Sequence, residues 1–404
     1  MTKQTKWLVL GFAFTATVIN YLDRQTLSVL APVLLAQYHI SPESYSRIVS
    51  AFMLAYTISN GISGRMLDRL GTKTGYAVAI ALWSGAELLH ALAKGATSFG
   101  VVRFLLGIGE AGNYPAGVKL IAEWFPAKDR SLAAGIFNSG ASIGAILAPP
   151  LLAWIALTAG IRAAFVIVGL LGFAWLGAWL LVYKHPPQAV APSAASTPTS
   201  HLLRSKFLWQ FTLSKVFSDP VWYFYTFWFP QYLRSEFNFT LQQIGATAWI
   251  PFFTAAIGNV AGGLLFFPLQ AICGSAQTAR RVGVVIFSVA MMLAVFIPMC
   301  TSPDSGIALV SLATFGYSAS LANLLALPAD VYPQDAVASV WGFASVGAGL
   351  GGMLFALVTG WIVQRYSFPP AFVLFGVLPL VAAVLVWLLP YHSGIVSSDL
   401  APVS

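Results

Sequence analysis

The sequence predicts an all-α membrane protein with twelve transmembrane helices in two pseudo-symmetric six-helix bundles, and three observations predict it. Of its 404 residues only 8% are charged, against roughly 25% in a soluble chain, while hydrophobic residues make up 58% and mean hydropathy is +0.78. Apolar runs recur at the length of a spanning helix, roughly 20 residues. Two passages also repeat at a fixed offset, one in each half. Twelve spans would occupy about 250 positions and leave about 150 for loops and tails, which excludes a soluble catalytic domain.

The runs fall at roughly 7–36, 45–66, 74–93, 98–120, 128–152 and 161–183, and then at roughly 207–234, 242–267, 280–300, 305–327, 336–363 and 370–390. The first follows Lys3 and Lys6 and enters Asn20-Tyr21-Leu22-Asp23-Arg24 without a small-residue cleavage site, so it reads as a retained helix. Between the sixth and seventh runs, the Pro-, Ser- and Ala-rich stretch around His185 to Pro198 cannot bury apolar surface and reads as a linker. The expected organisation is therefore an N-terminal bundle over 1–183, a cytoplasmic linker over 184–206 and a C-terminal bundle over 207–404. Shifting the chain by 207 residues lays Glu123-Trp124-Phe125-Pro126 on Asp330-Val331-Tyr332-Pro333, and Gly135, Gly140 and Gly144 on Gly342, Gly347 and Gly351. Duplicated halves of this kind build many secondary transporters, with the binding site near the midplane.

Lys and Arg are retained on the cytoplasmic side. With both termini inside, that side collects Lys3, Lys6, Arg65, Arg69, Lys73, Lys128, Arg130, Lys184, Arg204, Lys206, Arg280 and Arg281, and the other only Arg47, Lys94, Arg162, Arg234 and Arg365. The net charge of +8 forms no basic cluster, so no nucleic-acid partner is expected. Cys273 and Cys300 flank one apolar run and are expected to lie toward opposite faces, too far apart to bridge. No phosphate loop, metal-ligand cluster or placed nucleophile and base is seen, so neither enzymatic activity nor a metal or cofactor is expected.

The loop after the second run reads Gly64-Arg65-Met66-Leu67-Asp68-Arg69-Leu70-Gly71-Thr72-Lys73. It is similar to the G-x-x-x-D-[RK]-x-G-[RT]-[KR] signature of the major facilitator superfamily. There the glycine permits close helix contact, and the aspartate pairs with basic groups and a helix end of the other half to latch the cytoplasmic side. The resemblance assigns this gating role to Gly64, Asp68, Arg69, Gly71 and Lys73. The corresponding loop after the eighth run has Phe267 where the acid belongs, so its latch is expected to be weak. Asn20 to Arg24, Leu70 to Ala77, Arg103 to Pro115 and Glu123 to Lys128 resemble the anion:cation symporter group. Phe137-Asn138, Ser142 to Ala145, Ala148 to Leu151 and Tyr183 to Pro186 resemble its bacterial hexuronate transporters. The resemblance implies a major facilitator fold, a bacterial inner-membrane location, a monomer, and import of a sugar acid anion with protons. Some hexuronate carriers have an uncharged residue at the position of Asp23, while galactonate-type carriers keep the acid. A membrane sensor of the same anion is the reading from a different class.

A charge at the bilayer centre costs about 2.5–3.5 kcal/mol, so each one asks for a partner or a task. Arg103 and Glu110 are seven residues apart and share a face of the fourth span, continued by Tyr114. Asp23 and Arg24 point roughly 100° apart, so one can face a cavity while the other reaches the fourth span. A buried cluster of four charges is expected. Arg24 and Arg103 cannot release a proton and match a carboxylate with a fork, which suits anion binding; Asp23 and Glu110 can change state, which suits proton coupling. Tyr21, Tyr56, Asn138, Trp222, Tyr223, Asn323 and Ser345 are the further candidates for contacting a polyhydroxylated anion. Lys215 and Asp219 read as a local ion pair, Glu87 and His90 as a structural or interfacial pair near the outer part of the third span, and Lys119 as a snorkelling cation.

Overall fold

The computed structural model describes residues 3–184, 199–332 and 334–390, and these residues form helices joined by short turns. The first span is one continuous helix, α1 (Lys3–Gln37). The second and third are merged in α2 (Pro42–His90), which Ser41 caps by accepting from the Ser44 N–H at 3.2 Å. Their junction is Gly71, at φ +74° and ψ 163°, a conformation that residues with a Cβ rarely adopt. The direction change between the two spans therefore rests on a residue of the gating motif.

The fourth span departs from the continuous helix expected over 98–120. It is broken into α3 (Ala96–Glu110) and α4 (Asn113–Trp124) by a turn at Ala111 and Gly112. Side chains satisfy the polar groups there: the Ser63 hydroxyl donates to the Ala111 carbonyl at 3.1 Å, and Asn113 accepts from Tyr76 at 2.6 Å and donates to Thr17 at 3.2 Å. A break at membrane depth is tolerated only with such partners. α5 (Ala127–Ala159) and α6 (Ile161–Val182) complete the first six spans.

Within the expected linker, residues 199–204 form the short helix α7 (Thr199–Arg204), while 185–198 lie outside the described residues. α8 (Lys206–Phe237) follows, then α9 (Leu241–Thr247) and α10 (Ile250–Cys273), which together make the eighth span. α11 (Ala276–Met292) continues as a 3-10 segment, Leu293–Met299, that contains Pro298. α12 (Pro303–Ala326), α13 (Gln334–Tyr366) and α14 (Pro369–Trp387) are the remaining spans.

Among the described residues seven helices are long and apolar enough to cross a membrane on length and composition. α3 and α4 are shorter than a span because the fourth span is broken. Asp23, Arg24, Glu87, Arg103, Glu110, Lys215 and Asp219 are carried by α1, α2, α3 and α8, and all seven of these side chains are buried. The protein is a multi-pass integral membrane protein.

Two compact units form. One comprises Met1–Ala191, Thr226–Phe252 and Ala356–Gln364; the other comprises Pro192–Tyr225, Phe253–Phe355 and Arg365–Ser404. Lipid gives little hydrophobic drive to helix association, so close backbone packing must supply it. In the first unit, a Cβ on Gly140 or Gly144 of α5 would come within 2.6 Å of the Phe14 or Val18 carbonyl of α1. In the second, Gly347 and Gly351 of α13 stand in the same relation to the Thr212 and Val216 carbonyls of α8. The glycine partners repeat at the offset of 207 residues, and the carbonyl partners at 198. The core of the second unit is completed by Phe207, Leu208, Phe211, Val340, Ala344 and Val386.

Candidate functional site

The first unit brings the four expected charges together. Arg24 of α1 reaches α3, where its Nε and Nη2 donate to the same oxygen of Glu110, Oε2, at 2.9 and 2.8 Å. Arg103, one face along α3, donates from Nη1 to the backbone carbonyl of Arg24 at 3.1 Å. Its Nε and Nη2 are buried without a hydrogen-bond partner, as are both oxygens of Asp23 and the second oxygen of Glu110. Asp23 lies within electrostatic reach of Arg103, Glu110 and Glu87.

Glu87 and His90 form the pair that the sequence suggests, at 3.6 Å and fully buried, and Glu87 also lies within electrostatic reach of Arg103 and Glu110. The cluster thus holds three carboxylates against two guanidiniums. Uncompensated charge in low dielectric is costly, so the cluster is electroneutral when the carboxylates share one proton.

Three rings surround the Arg24 guanidinium, with centroids at 5.0 Å for Tyr21, 5.3 Å for Phe52 and 4.9 Å for Tyr56. Two of them, Tyr21 and Tyr56, are sequence candidates; Phe52 was not among them, because an apolar ring on a membrane helix carries no signal of its own. Tyr114 lies beyond the turn at residues 111–112, within electrostatic reach of Arg24, Tyr21 and Tyr56, and its ring packs edge-on to Phe137 at 5.6 Å.

In the second unit, Lys215 and Asp219 of α8 pair at 2.7 Å, and Asp219 also accepts from Ser218 at 3.0 Å and from Tyr317 of α12 at 3.2 Å. The local pair expected from the i,i+4 spacing is present and is also part of a network that crosses to α12. Trp222 stacks on Tyr317 with centroids 5.5 Å apart and planes at 18°. By the offsets of the glycine contacts, Trp222 is the counterpart of Arg24 (24 + 198) and Tyr317 of Glu110 (110 + 207). An ion pair in one repeat is an aromatic stack in the other. Tyr223 is half-buried beside Trp222. Asn323 is buried, its amide donating to the Gly262 and Ala319 carbonyls at 3.2 and 3.0 Å, where it joins α10 to α12. Asn138 is exposed on α5, and so is Ser345 on α13, with its hydroxyl donating to the Trp341 carbonyl at 2.8 Å.

The gating motif differs in detail from the expectation. A Cβ on Gly64 would meet open space, so no close helix contact requires that glycine. Asp68 pairs with Lys119 at 2.7 Å, and the same ammonium donates to the Leu67 carbonyl at 3.0 Å, so the cation at this helix end reaches an exposed acid of the motif. Arg69 is exposed, and Lys73 accepts from Trp179 through its carbonyl at 3.0 Å. In the second repeat, Arg280 pairs with Asp330 at 2.6 Å. The acid missing after the eighth span is supplied from the end of the tenth, at the repeat position of Glu123, which accepts from Thr72 at 2.7 Å.

Comparison with known proteins places this architecture. A hexuronate transporter of Escherichia coli (strain K12) is 34% identical over 405 residues, covering 95% of this chain and 94% of that protein. A galacturonate transporter of Dickeya chrysanthemi is 36% identical over 282 residues, covering 65% and 82%. Among solved structures, a bacterial homolog of the human lysosomal transporter Spinster, inward-facing and occupied, is similar with a TM-score of 0.78 at 17% identity, covering 96% of this chain and 97% of that one. The Major Facilitator Superfamily model matches residues 13–275 and 266–399, and with the helical architecture and the gating motif already described, the chain belongs to that superfamily.

Proposed function

We propose that the chain carries a sugar acid anion, a hexuronate such as glucuronate or galacturonate, across the bacterial inner membrane together with protons. The halves 1–183 and 207–404, joined by 184–206, would alternate access around the bound anion, with both termini cytoplasmic and a monomer as the working unit. The observation that carries this reading is the Arg24–Glu110 pair inside a cluster of three carboxylates and two guanidiniums. A substrate carboxylate that takes the Arg24 fork displaces Glu110 Oε2. Glu110 is then a buried carboxylate without its counter-ion, and a proton restores neutrality. Each substrate carboxylate therefore draws in one proton. Arg103, with two unpartnered donors, is the second anion-binding cation, and Asp23, also unpartnered, is the second coupling acid.

Tyr21 and Tyr56 offer hydroxyls beside Arg24, and Trp222 with Tyr223 offers ring faces to the apolar side of a sugar. The names of the Escherichia coli and Dickeya relatives support the substrate class and a transporter rather than an enzyme. Asp23 favours a second reading, a galactonate-type acid, since carriers of that type keep an acid at this position.

The test is uptake into proteoliposomes under an imposed pH gradient, with a panel of hexuronates and aldonates. Hexuronate should accumulate and a protonophore should abolish accumulation. Arg24→Ala and Arg103→Ala should lose binding, and Glu110→Gln should retain exchange but lose accumulation. Concentration of substrate by Glu110→Gln equal to the wild type would remove proton coupling from the proposal.

A further inference from the structure

The first unit contains a cavity of about 350 Å³ away from the Arg24–Glu110 pair. Its wall includes Leu34 and Tyr38 at the end of α1, His90 at the end of α2, Phe99 in α3, and Arg162 and Phe165 at the start of α6. These are the ends that the distribution of Lys and Arg assigns to the outside. His90 lies flat on Phe165, with centroids 5.3 Å apart and planes at 8°. Its Nδ1 is 2.8 Å from the Ala86 carbonyl, and its Nε2 is buried without a hydrogen-bond partner.

One turn back along α2, Glu87 Oε2 is 3.6 Å from His90 Nδ1, and the Thr26 hydroxyl is the hydrogen-bonding group nearest its carboxylate. The groups that face Glu87 are Thr26 of α1, Arg103 and Glu110 of α3, and Asp23 of α1. A cavity, an imidazole and two buried carboxylates thus stand close together. Structural ion pairs are normally satisfied by hydrogen bonds; neither oxygen of Asp23 is.

We propose that His90 and Glu87 form a proton entry route that delivers protons from the outer cavity to Asp23 without passing the anion site. When the ring turns toward the cavity Nε2 takes a proton from water, on turning back Nδ1 gives its own to Glu87, and a flip of the neutral ring restores the Nδ1–H tautomer for the next cycle. Glu87 hands the proton to Asp23 and is ready for the next. The route rests on the proton-coupled reading above and adds a path to it. Neither His90 nor Glu87 touches the substrate in this account; both are positioning and relay residues.

The experiment compares wild type, Glu87→Gln, His90→Phe and Glu110→Gln in proteoliposomes, with galacturonate as probe. His90→Phe keeps the stack on Phe165 and removes both nitrogens. The expected result is that His90→Phe, outside the charge cluster, binds and exchanges galacturonate within twofold of wild type, while proton-driven accumulation falls at least tenfold in both His90→Phe and Glu87→Gln. Proton uptake on galacturonate addition, followed with a pH dye, should slow in parallel. Wild-type accumulation in Glu87→Gln or His90→Phe, with accumulation lost in Glu110→Gln, overturns the route and leaves the proposed function standing. Absence of proton-driven accumulation in the wild-type protein overturns both.

Discussion

Arg24 places two nitrogens on one carboxylate oxygen within a cage of Tyr21, Phe52 and Tyr56. A guanidinium is planar and weakly hydrated and stacks on rings, whereas an ammonium is a compact point charge with no fork. Arg24→Lys keeps the charge and loses the geometry. Its affinity for galacturonate should fall at least tenfold, about 1.4 kcal/mol, in equilibrium binding to purified protein; unchanged affinity would mean that the fork is not the anion contact. At this scale the sequence was informative where charge was the signal. Asp23, Arg24, Arg103 and Glu110 stand out because a membrane helix does not carry such residues idly. Glu87 carried the same signal, but its position near the end of an apolar run suggested a shallow depth, and only the packing of the third span against α3 sets it beside Arg103. Asn323 shows the converse: an amide on a membrane helix has the same sequence signature whether it serves a ligand or ties two helices together, as it does here.

Among the helices, two repeat-related pairs pack by the same device. α5 sets Gly140 and Gly144 against α1, and α13 sets Gly347 and Gly351 against α8. Val at Gly144 or Gly351 would drive a side chain into the Val18 or Val216 carbonyl, and overpacking of this kind costs about 1–3 kcal/mol. Both variants should lower the melting temperature in detergent, whereas Gly135→Ala and Gly342→Ala, which meet open space, should leave it within error. Equal tolerance at all four positions would show that these contacts do not hold the helices. The offset of 207 residues was legible because glycines and an acid-aromatic-proline passage recur in register. The carbonyl offset of 198 was not, because Thr212 and Val216 do not resemble Phe14 and Val18. Backbone atoms make that contact, and backbone is the same whatever the side chain.

For the whole molecule, the spans, their order and the superfamily could be read from hydropathy and one loop motif. The break in the fourth span could not, since Asn113, Ser63 and Thr17 come from different spans and their pairing is a tertiary property. Nor could the substitution of an aromatic stack for an ion pair, because the counterparts Trp222 and Arg24 share no chemistry. That asymmetry puts the cluster of three carboxylates and two guanidiniums in the first unit, with the Lys215–Asp219 pair in the second already balanced. If, as proposed, one anion enters with one proton, the pair moves no net charge. Cargo of this kind crosses without feeling the membrane voltage, so uptake clamped with potassium and valinomycin at 0 or about −100 mV should run at the same rate. A rate that rises steeply as the interior is made negative would mean that more than one proton accompanies each carboxylate. If the rates are equal, a cell could import the acid on acidity alone, even when its electrical gradient has collapsed.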